Sequence, residues 1–410
     1  MSQIDALIAA LCPDGVDFKP IGEIGQLVRG NGMPKSDFVE TGVGCIHYGQ
    51  IYTFYGTWAT ETKSFIPAEK AARLAKVDPG DLIITNTSEN LDDVCKAVAW
   101  LGDGQIVTGG HATVLKHGQD PKYLAYYLQT PQFFAEKKRH ATGTKVIDVS
   151  AKSLAKISIP VPPIEIQQKI VAILDSFTKL EAELEAELEA RRIQYHHYRS
   201  AMLDFNAQPD KVTWATIGEV CEVRSGWGFP AAYQGQTDGE YPFYKVSDMN
   251  LSGNEVVMSS ANNFIDHDAA KKLGAKPAPA GTVIFPKIGA AVATNKKRIL
   301  SIPSAYDNNV MGLVPGNRMI SRFLYFWMQT VNLSEIANDS GAVPSIRKTE
   351  MERVRIPVPS LDDQARIVEL LDKFDMLVND LSDGLPAEIK ARHQQYEYYR
   401  DQLLTFKQAA

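Results

Sequence analysis

Residues 269–306 hold Lys271, Lys272, Lys276, Lys287, Lys296, Lys297 and Arg298 and not one acid. Such a tract suits the phosphates of a nucleic acid, whose counterions it would displace. It suits a solvated surface equally well, and charge alone leaves both readings open. Nearby amides and hydroxyls add a second chemistry, because reading bases takes Arg or Lys for guanine and Asn or Gln for adenine. The run Thr294, Asn295, Lys296, Lys297, Arg298, with Lys287 before it and Asn308 and Asn309 after it, supplies both kinds. An earlier stretch carries a matching set in Asn86, Thr87, Ser88, Lys96, His111 and Lys145. Two loops, RGNGMPK (29–35) and RSGWGFP (224–230), share the spacing GxGxP and place Arg29, Lys35 and Arg224 beside it. Their glycines permit close approach of the backbone to a phosphate, or simply a tight turn at a strand end. Tyr48, Gln50, Lys245 and Asp248 follow short extended runs at equivalent places and are expected to point into a groove. Arg347 and Lys348 complete the candidate nucleic-acid contacts.

Catalytic chemistry is poorly provided for. No GxxxxGK(S/T) phosphate loop is present, which argues against ATP hydrolysis. The glycine-rich LGDGQIVTGG (101–110) lacks GxGxxG spacing, and Asp103-Gly104 between two apolar runs reads as a hairpin turn. Asp14, Asp17 and Lys19 mimic a nuclease carboxylate–lysine set, but the acids crowd into a Pro-Gly turn, too close together to frame a metal. His196 and His197 lie on a tyrosine-rich helical stretch without matching ligands and read as surface or partner-facing. Cys12, Cys45, Cys95 and Cys221 are widely spaced, with no CxxC pair, and read as buried thiols of a reducing cytoplasm. No metal and no cofactor is expected. No apolar run approaches the ~18 residues of a membrane helix. The first apolar run is preceded by an acid and no base, unlike a signal peptide. The expected location is cytoplasmic. The net charge of −6 weighs mildly against nucleic-acid binding, but distribution matters more than the sum. Glu181, Glu183, Glu185, Glu187 and Glu189 crowd one predicted helix, far from the basic tract.

The elements that must position these residues occur twice. IPVPPIEIQQKIVAILDSF (159–177) returns as IPVPSLDDQARIVELLDKF (356–374), and ARRIQYHHYRSAMLDF (190–205) as ARHQQYEYYRDQLLTF (391–406). Upstream, CPDGVDFKPIGEIGQLVRGNGMP (12–34) returns as QPDKVTWATIGEVCEVRSGWGFP (208–230). A doubled unit implies two equivalent tasks and an approximate two-fold axis within one chain. Each copy opens with a mixed α/β region. Short apolar runs such as DLIITNT (81–87) and TVIFPKI (282–288) read as strands, and KYLAYYLQTPQFFAEKKR (122–139) and SRFLYFWMQTVNLSEIA (321–337) as helices. Each region ends at IPVP, whose prolines force an extended segment. Long helical patterns follow over 163–205 and 361–406. Apolar residues at alternating steps of three and four form a heptad-like stripe: Ile170, Ile173, Phe177, Leu180, Leu184, Leu188, Tyr195, Tyr198, Met202 and Phe205 in the first helix, and Ile367, Leu370, Phe374, Leu377, Leu381, Tyr396, Tyr399, Leu403 and Phe406 in the second. Gly384-Leu385-Pro386 should break the second. One such stripe is an ordinary core helix; two matched long ones most simply pair antiparallel, with a globular domain at each end. The expected fold is two mixed α/β domains, 1–160 and 207–357, joined by spacer helices over 161–206 and 358–410 that form an antiparallel coiled coil.

At IPVPPIEIQQKIVAILDSF, and again at GLPAEIKARHQQYEYYRDQLLTF (384–406), the chain resembles the specificity subunit of type I restriction–modification systems. The likeness spans both domains and both spacers. It includes the IGE(I/V) openings and the closing tracts GTKVIDVSAKSLAKISIPVP (143–162) and GAVPSIRKTEMERVRIPVP (341–359). The first spacer departs from the pattern, with ELEAELEA (183–190) and no GLP, so the two helices are expected to bend differently. The resemblance implies a subunit that binds double-stranded DNA and has no catalysis of its own. Each recognition domain would read one half of a split, asymmetric sequence, with the helices setting the gap. Two copies of an adenine methyltransferase subunit would dock on the helices, and motor-nuclease subunits would join the complex. Aromatic side chains dominate interfaces, so Tyr195, Tyr198, Tyr396 and Tyr399 are candidate anchors, and Arg199 and Arg400 beside them are candidate partner contacts. An adenine methyltransferase itself would carry an (N/D)PP(Y/F) motif to grip a flipped base. The nearest proline pair here is Val161-Pro162-Pro163, so that chemistry is expected of the partner.

Overall fold

The computed structural model describes residues 2–205, 212–338, 343–379 and 383–409. The chain divides into two compact units, Met1–Glu185 with Ile389–Ala410, and Ala186–Glu388. Each unit therefore takes one globular region and a part of each spacer.

In the first unit the central strands Leu82–Thr85 (LIIT) and Ala97–Trp100 (AVAW) are buried at every position. Such runs require cover on both faces. Leu82, Ile84, Ala97 and Ala99 face a core that holds Tyr123, Leu124 and Tyr126 of the helix Pro121–Tyr127. Their alternates Ile83 and Val98 face Ile46, Val77 and Ile106 of a second sheet, as a period of two demands. The first sheet runs in the order Gly25–Arg29, Ala112–His117, Leu82–Thr85, Ala97–Trp100, Trp58–Ala59, and only the last pairing is parallel. The second runs Ser64–Ile66, Val43–Ile46, Ile106–Thr108, Ala75–Val77, with its central pair parallel. Two expectations change here. The stretch 122–139 forms two helices, Pro121–Tyr127 and Pro131–His140, because Thr130 and Pro131 cap and restart the chain. Asp103-Gly104 does not close a hairpin. Ala97–Trp100 and Ile106–Thr108 belong to different sheets, and the turn carries the chain from one to the other. The Trp100 indole donates to Gly104 O at 2.7 Å and holds that crossing.

The second unit repeats the plan. Its five-stranded sheet runs Cys221–Ser225, Val310–Pro315, Val283–Pro286, Arg298–Leu300, Val257–Met258; a three-stranded sheet runs Phe264–Ile265, Tyr241–Tyr244, Ala305–Tyr306. Val283 and Phe285 face the helix Ser321–Met328, while Ile284 faces Tyr244 and Tyr306.

Each domain closes on its own opening strand: Ser158–Pro160 pairs with Phe18–Pro20, and Arg355–Val358 with Thr213–Thr216. The first spacer is one helix of 40 residues, Ile164–Leu203, about 60 Å long at 1.5 Å per residue. The second is two helices, Leu361–Asn379 and Leu385–Leu403. Pro386 stands in the first turn of the latter, where its missing N–H costs nothing. Leu381 of the expected stripe lies outside the described residues. Within the first unit Phe177 stacks on Tyr399 at 5.3 Å and Glu181 meets His393 at 3.2 Å. Within the second, Phe374 stacks on Tyr198 at 5.3 Å and on Tyr195 at 6.3 Å. In the first unit, numbers rising on one helix meet numbers falling on the other, so the helices there are antiparallel. Ile166, Ile170 and Leu174 join the first domain's core, and Leu371 and Val378 the second's, so spacer and domain share a core.

Candidate nucleic-acid interface

One end of each domain gathers loops from both sheets, and the same backbone frame builds it twice. In the first unit, Asn86 N donates to His111 O at 2.8 Å and Val149 N to Asn86 O at 2.9 Å. In the second, Lys287 N donates to Asn309 O and Ile346 N to Lys287 O, each at 2.8 Å. The first glycine of each GxGxP loop is a packing requirement. A Cβ on Gly30 would stand 1.9 Å from Gly109 O, and one on Gly226 1.9 Å from Asp307 O. The second glycines, Gly32 and Gly228, meet nothing within 4 Å. Close approach is thus between two strand ends of the protein itself.

In the first unit this end exposes Arg29, Lys35, His111 and Lys145. His111, at φ +69°, shares a 3.0 Å hydrogen bond with Thr87 Oγ1 and lies 5.0 Å from the half-buried Tyr48 ring. Burial first, then Lys35 and His111 nearby, hold the His47 imidazole below its ordinary pKa. Ser88 pairs with Ile147 beside Lys145, and Lys96 is half-buried. Two expected readers are used by the fold instead. Asn86 is fully buried; it donates to Val149 O and accepts from Thr113 Oγ1, both at 2.8 Å. Gln50 caps its own helix, accepting from His47 N at 3.0 Å and donating to Ser64 Oγ at 2.6 Å. Asp248 makes the equivalent cap on Lys245 N at 2.6 Å and is buried.

In the second unit the same end presents half-buried Lys245 and Lys287 and exposed Asn308, Arg347 and Lys348. Lys287 Nζ donates to Ser225 Oγ at 3.1 Å, and burial lowers its pKa against the pull of Asp307. Asn309 is tied to Asp307 through its backbone N at 3.0 Å and its amide at 3.2 Å. Arg224 is held by Glu222 through two 2.7 Å bonds, and Lys348 lies 3.6 Å from Glu352. Trp227 pairs with Asp307 and packs 5.6 Å from Tyr306. Sequence reasoning passed over Trp227, although it replaces Asn31 in the middle of the repeated loop.

Within the basic tract Lys271, Lys272 and Lys276 are exposed, Lys287, Lys296 and Arg298 are half-buried, and the run 295–298 is turned into the fold. Lys297 is fully buried, donating to Val331 O at 2.7 Å and Asn295 Oδ1 at 2.8 Å. Asn295, left-handed at φ +53°, also accepts from Leu333 N at 2.9 Å. Arg298 donates to Lys297 O at 2.8 Å and Met249 O at 3.2 Å, and Lys296 bonds Asn250. These groups hold the loop before Arg298–Leu300 in place, so Asn295, Lys297 and Arg298 leave the candidate interface along with Asn86 and Gln50.

The expected partner anchors divide similarly. Tyr195, Tyr396 and Arg400 are buried, with Tyr195 donating to Asp375 Oδ1 at 3.3 Å. Tyr399 is stacked on Phe177, and Arg199 lies over the Tyr195 ring. Tyr198 is exposed, and among the described residues Ile193, Tyr398 and Met376, at 63%, 59% and 58% exposure, are the most open large apolar side chains of the spacers. Among the described residues no group of three or more His, Cys, Asp or Glu is placed to hold a metal, and no helix is long and apolar enough to cross a membrane.

The sequence matches the family described as type I restriction modification DNA specificity domain twice, over residues 13–190 and 209–391. The specificity subunit of the EcoR124I/EcoR124II type I restriction enzyme of Escherichia coli is 33% identical over 297 residues, 70% of each chain. A putative type I restriction enzyme specificity subunit of Haemophilus influenzae is 25% identical over 95% of this chain and 96% of its own. Among solved structures, a chain from a study of complex assembly and conformational transition of the type I R-M system superposes with a TM-score of 0.65 at 18% identity, covering 96% of this chain and 98% of that one. The HsdS subunit of Thermoanaerobacter tengcongensis gives 0.53 at 17% identity, over 96% and 97%. With two matches in tandem, each falling on one copy of the domain and its spacer, the chain belongs to the specificity subunits of type I restriction–modification systems.

Proposed function

We propose that each unit reads one half of a split, asymmetric DNA target, and that the chain supplies recognition and no catalysis to a complex with two adenine methyltransferase copies and motor-nuclease subunits. The observation that carries this reading is one backbone frame dressed with two sets of side chains. At equivalent positions the first copy has exposed His111 and Asn31 and a buried Asn86 where the second has Asn309, Trp227 and a half-buried Lys287, while the backbone bonds through Asn86 and Lys287 are the same. A frame kept constant under altered polar groups is what two different half-sites call for. Arg29, Lys35, His111 and Lys145 in one domain, and Lys245, Lys287, Asn308, Arg347 and Lys348 in the other, are the proposed contacts. We take 1–160 and 207–357 as the recognition domains, with 161–206 and 358–410 as spacers and docking surfaces. The test has two arms. The purified chain alone should neither methylate nor cut DNA; turnover abolished by a point change within it would overturn the non-catalytic role. Mixed with its methyltransferase, it should shift DNA carrying both half-sites and not DNA carrying one; equal shifts would overturn the split-target reading.

A further inference from the structure

The joint between each domain and its spacer is made of prolines: Pro160, Pro162 and Pro163 in the first copy, Pro357 and Pro359 in the second. Proline has no N–H, so backbone bonds alone are poorly able to hold the angle at such a joint. One side chain does so in both copies. Gln167, fully buried on the spacer, donates through Nε2 to Pro162 O at 2.8 Å and Gln119 Oε1 at 2.7 Å, and accepts from Asp120 N at 2.9 Å. Gln364, 197 residues later and also fully buried, donates to Pro359 O at 3.0 Å and Arg318 O at 2.9 Å, and accepts from Ile320 N at 2.8 Å. Each amide thus ties three segments: the spacer, the proline joint, and the loop that leads into the helix Pro121–Tyr127 or Ser321–Met328. Both amide hydrogens are used, which is the saturated state a buried amide requires.

A second fastening lies eight residues along, about two helical turns. Lys122 Nζ meets Asp175 Oδ2 at 2.6 Å, and Tyr126 OH donates to Asp175 Oδ1 at 2.9 Å. In the other copy Arg322 meets Asp372 at 2.5 Å and Asp375 at 3.0 Å. Two fixed points along one helix stop rotation as well as separation. The cation changes from Lys to Arg and the third partner from Tyr126 to Asp375, yet the glutamine and its three bonds are retained.

We propose that Gln167 and Gln364 are positioning residues that set the angle of each recognition domain on its spacer and thereby the permitted gap between half-sites. This rests on the split-target reading. The test uses the complex of the chain with its methyltransferase, on duplexes whose gap is lengthened or shortened by one base pair. The parent, Gln167→Met and Gln364→Met are compared; Met keeps the volume and removes all three bonds. The expected result is a fall on the order of tenfold to a hundredfold in discrimination between the preferred gap and its neighbours, the scale on which ångström-level misplacement acts. Base preference inside each half-site should not move. Asp175→Ala, at a partly exposed position, should give a smaller fall in the same direction and decides the matter where a glutamine variant does not fold. Unchanged gap discrimination in the folded variants, or altered base preference with the gap intact, would overturn the positioning role. A parent indifferent to gap length would overturn the split-target reading itself, and the inference with it.

Discussion

Lys137 in the first unit and Lys297 in the second brace equivalent junctions, each from the opposite partner of the pair. Lys137, on the helix Pro131–His140, donates to Asp92 O at 2.9 Å and Val94 O at 2.7 Å in the loop before Ala97–Trp100. Lys297, in the loop before Arg298–Leu300, reaches back to Val331 O beside the helix Leu333–Ile336. Burial first, then the charge of Arg199, push the Lys297 pKa down to about 8. The unfolded chain, near 10.5, therefore holds this proton more tightly than the fold between about pH 8 and 10.5. The cost of the buried charge is fully present below that window and is relieved as pH rises through it. Stability of the parent relative to Lys297→Met should rise with pH there, by at most about 1.4 kcal/mol per pH unit; denaturant titrations at pH 8 and 10 check it, and a flat difference contradicts it. On the DNA side, Lys287→Ala or Asn308→Ala should relax preference at one base at a cost of ~1–3 kcal/mol, measured by competition binding. Replacing Lys145 should instead weaken all sequences alike and lower the salt slope by ~0.9. The sequence made the cations visible but not their directions. Lys296 and Lys297 are neighbours of one type, and only the left-handed turn at Asn295 and the helix beyond it draw the second inward.

At the scale of elements, strand-rich domains, spacer helices, the break at Pro386 and the antiparallel pairing were all legible, because period and proline are properties of the chain itself. Which residues face outward was not, since one position turns a helix by about 100°. Tyr396 is buried in the seam and Tyr398, about 200° round, is 59% exposed. Aromatic truncation at Tyr396 should cost about 3 kcal/mol or more of first-unit stability, as in other core cavities. By contrast, Tyr398→Asp and Ile193→Asp should leave thermal unfolding within a degree or two of the parent, since surface changes are usually within about 0.5 kcal/mol, yet stop the methyltransferase from co-purifying. Retained co-purification would place the docking surface elsewhere. The supposed hairpin at Asp103-Gly104 illustrates a second kind of miss. A turn signal between two strands says that the chain reverses, not that both strands join one sheet, and here the alternating burial of Ile83 and Val98 against Leu82 and Ala97 required a second sheet above the first.

For the whole molecule, the repeat is the organising fact, and it was the part of the fold most plainly written in the sequence. Gly30 and Gly226, Asn86 and Lys287, and Gln167 and Gln364 occupy equivalent places in two copies of one frame. If the spacers set the gap, four residues inserted after Glu185 should lengthen it. The added helix is ~6 Å, and with ~3.4 Å per base pair the preferred gap should grow by about one to two base pairs. The half-sites themselves should not change. The most direct test of the central claim, one half-site for each domain, is methylome sequencing of a host carrying this chain with its methyltransferase and nuclease partners, repeated with the loops around Lys245, Lys287 and Asn308 exchanged for those of another specificity subunit. The account predicts a bipartite, non-palindromic methylated motif in the parent and a change confined to one of its halves, at the same gap, in the exchanged chain. A continuous or palindromic motif, or an exchange that rewrites both halves together, would contradict it.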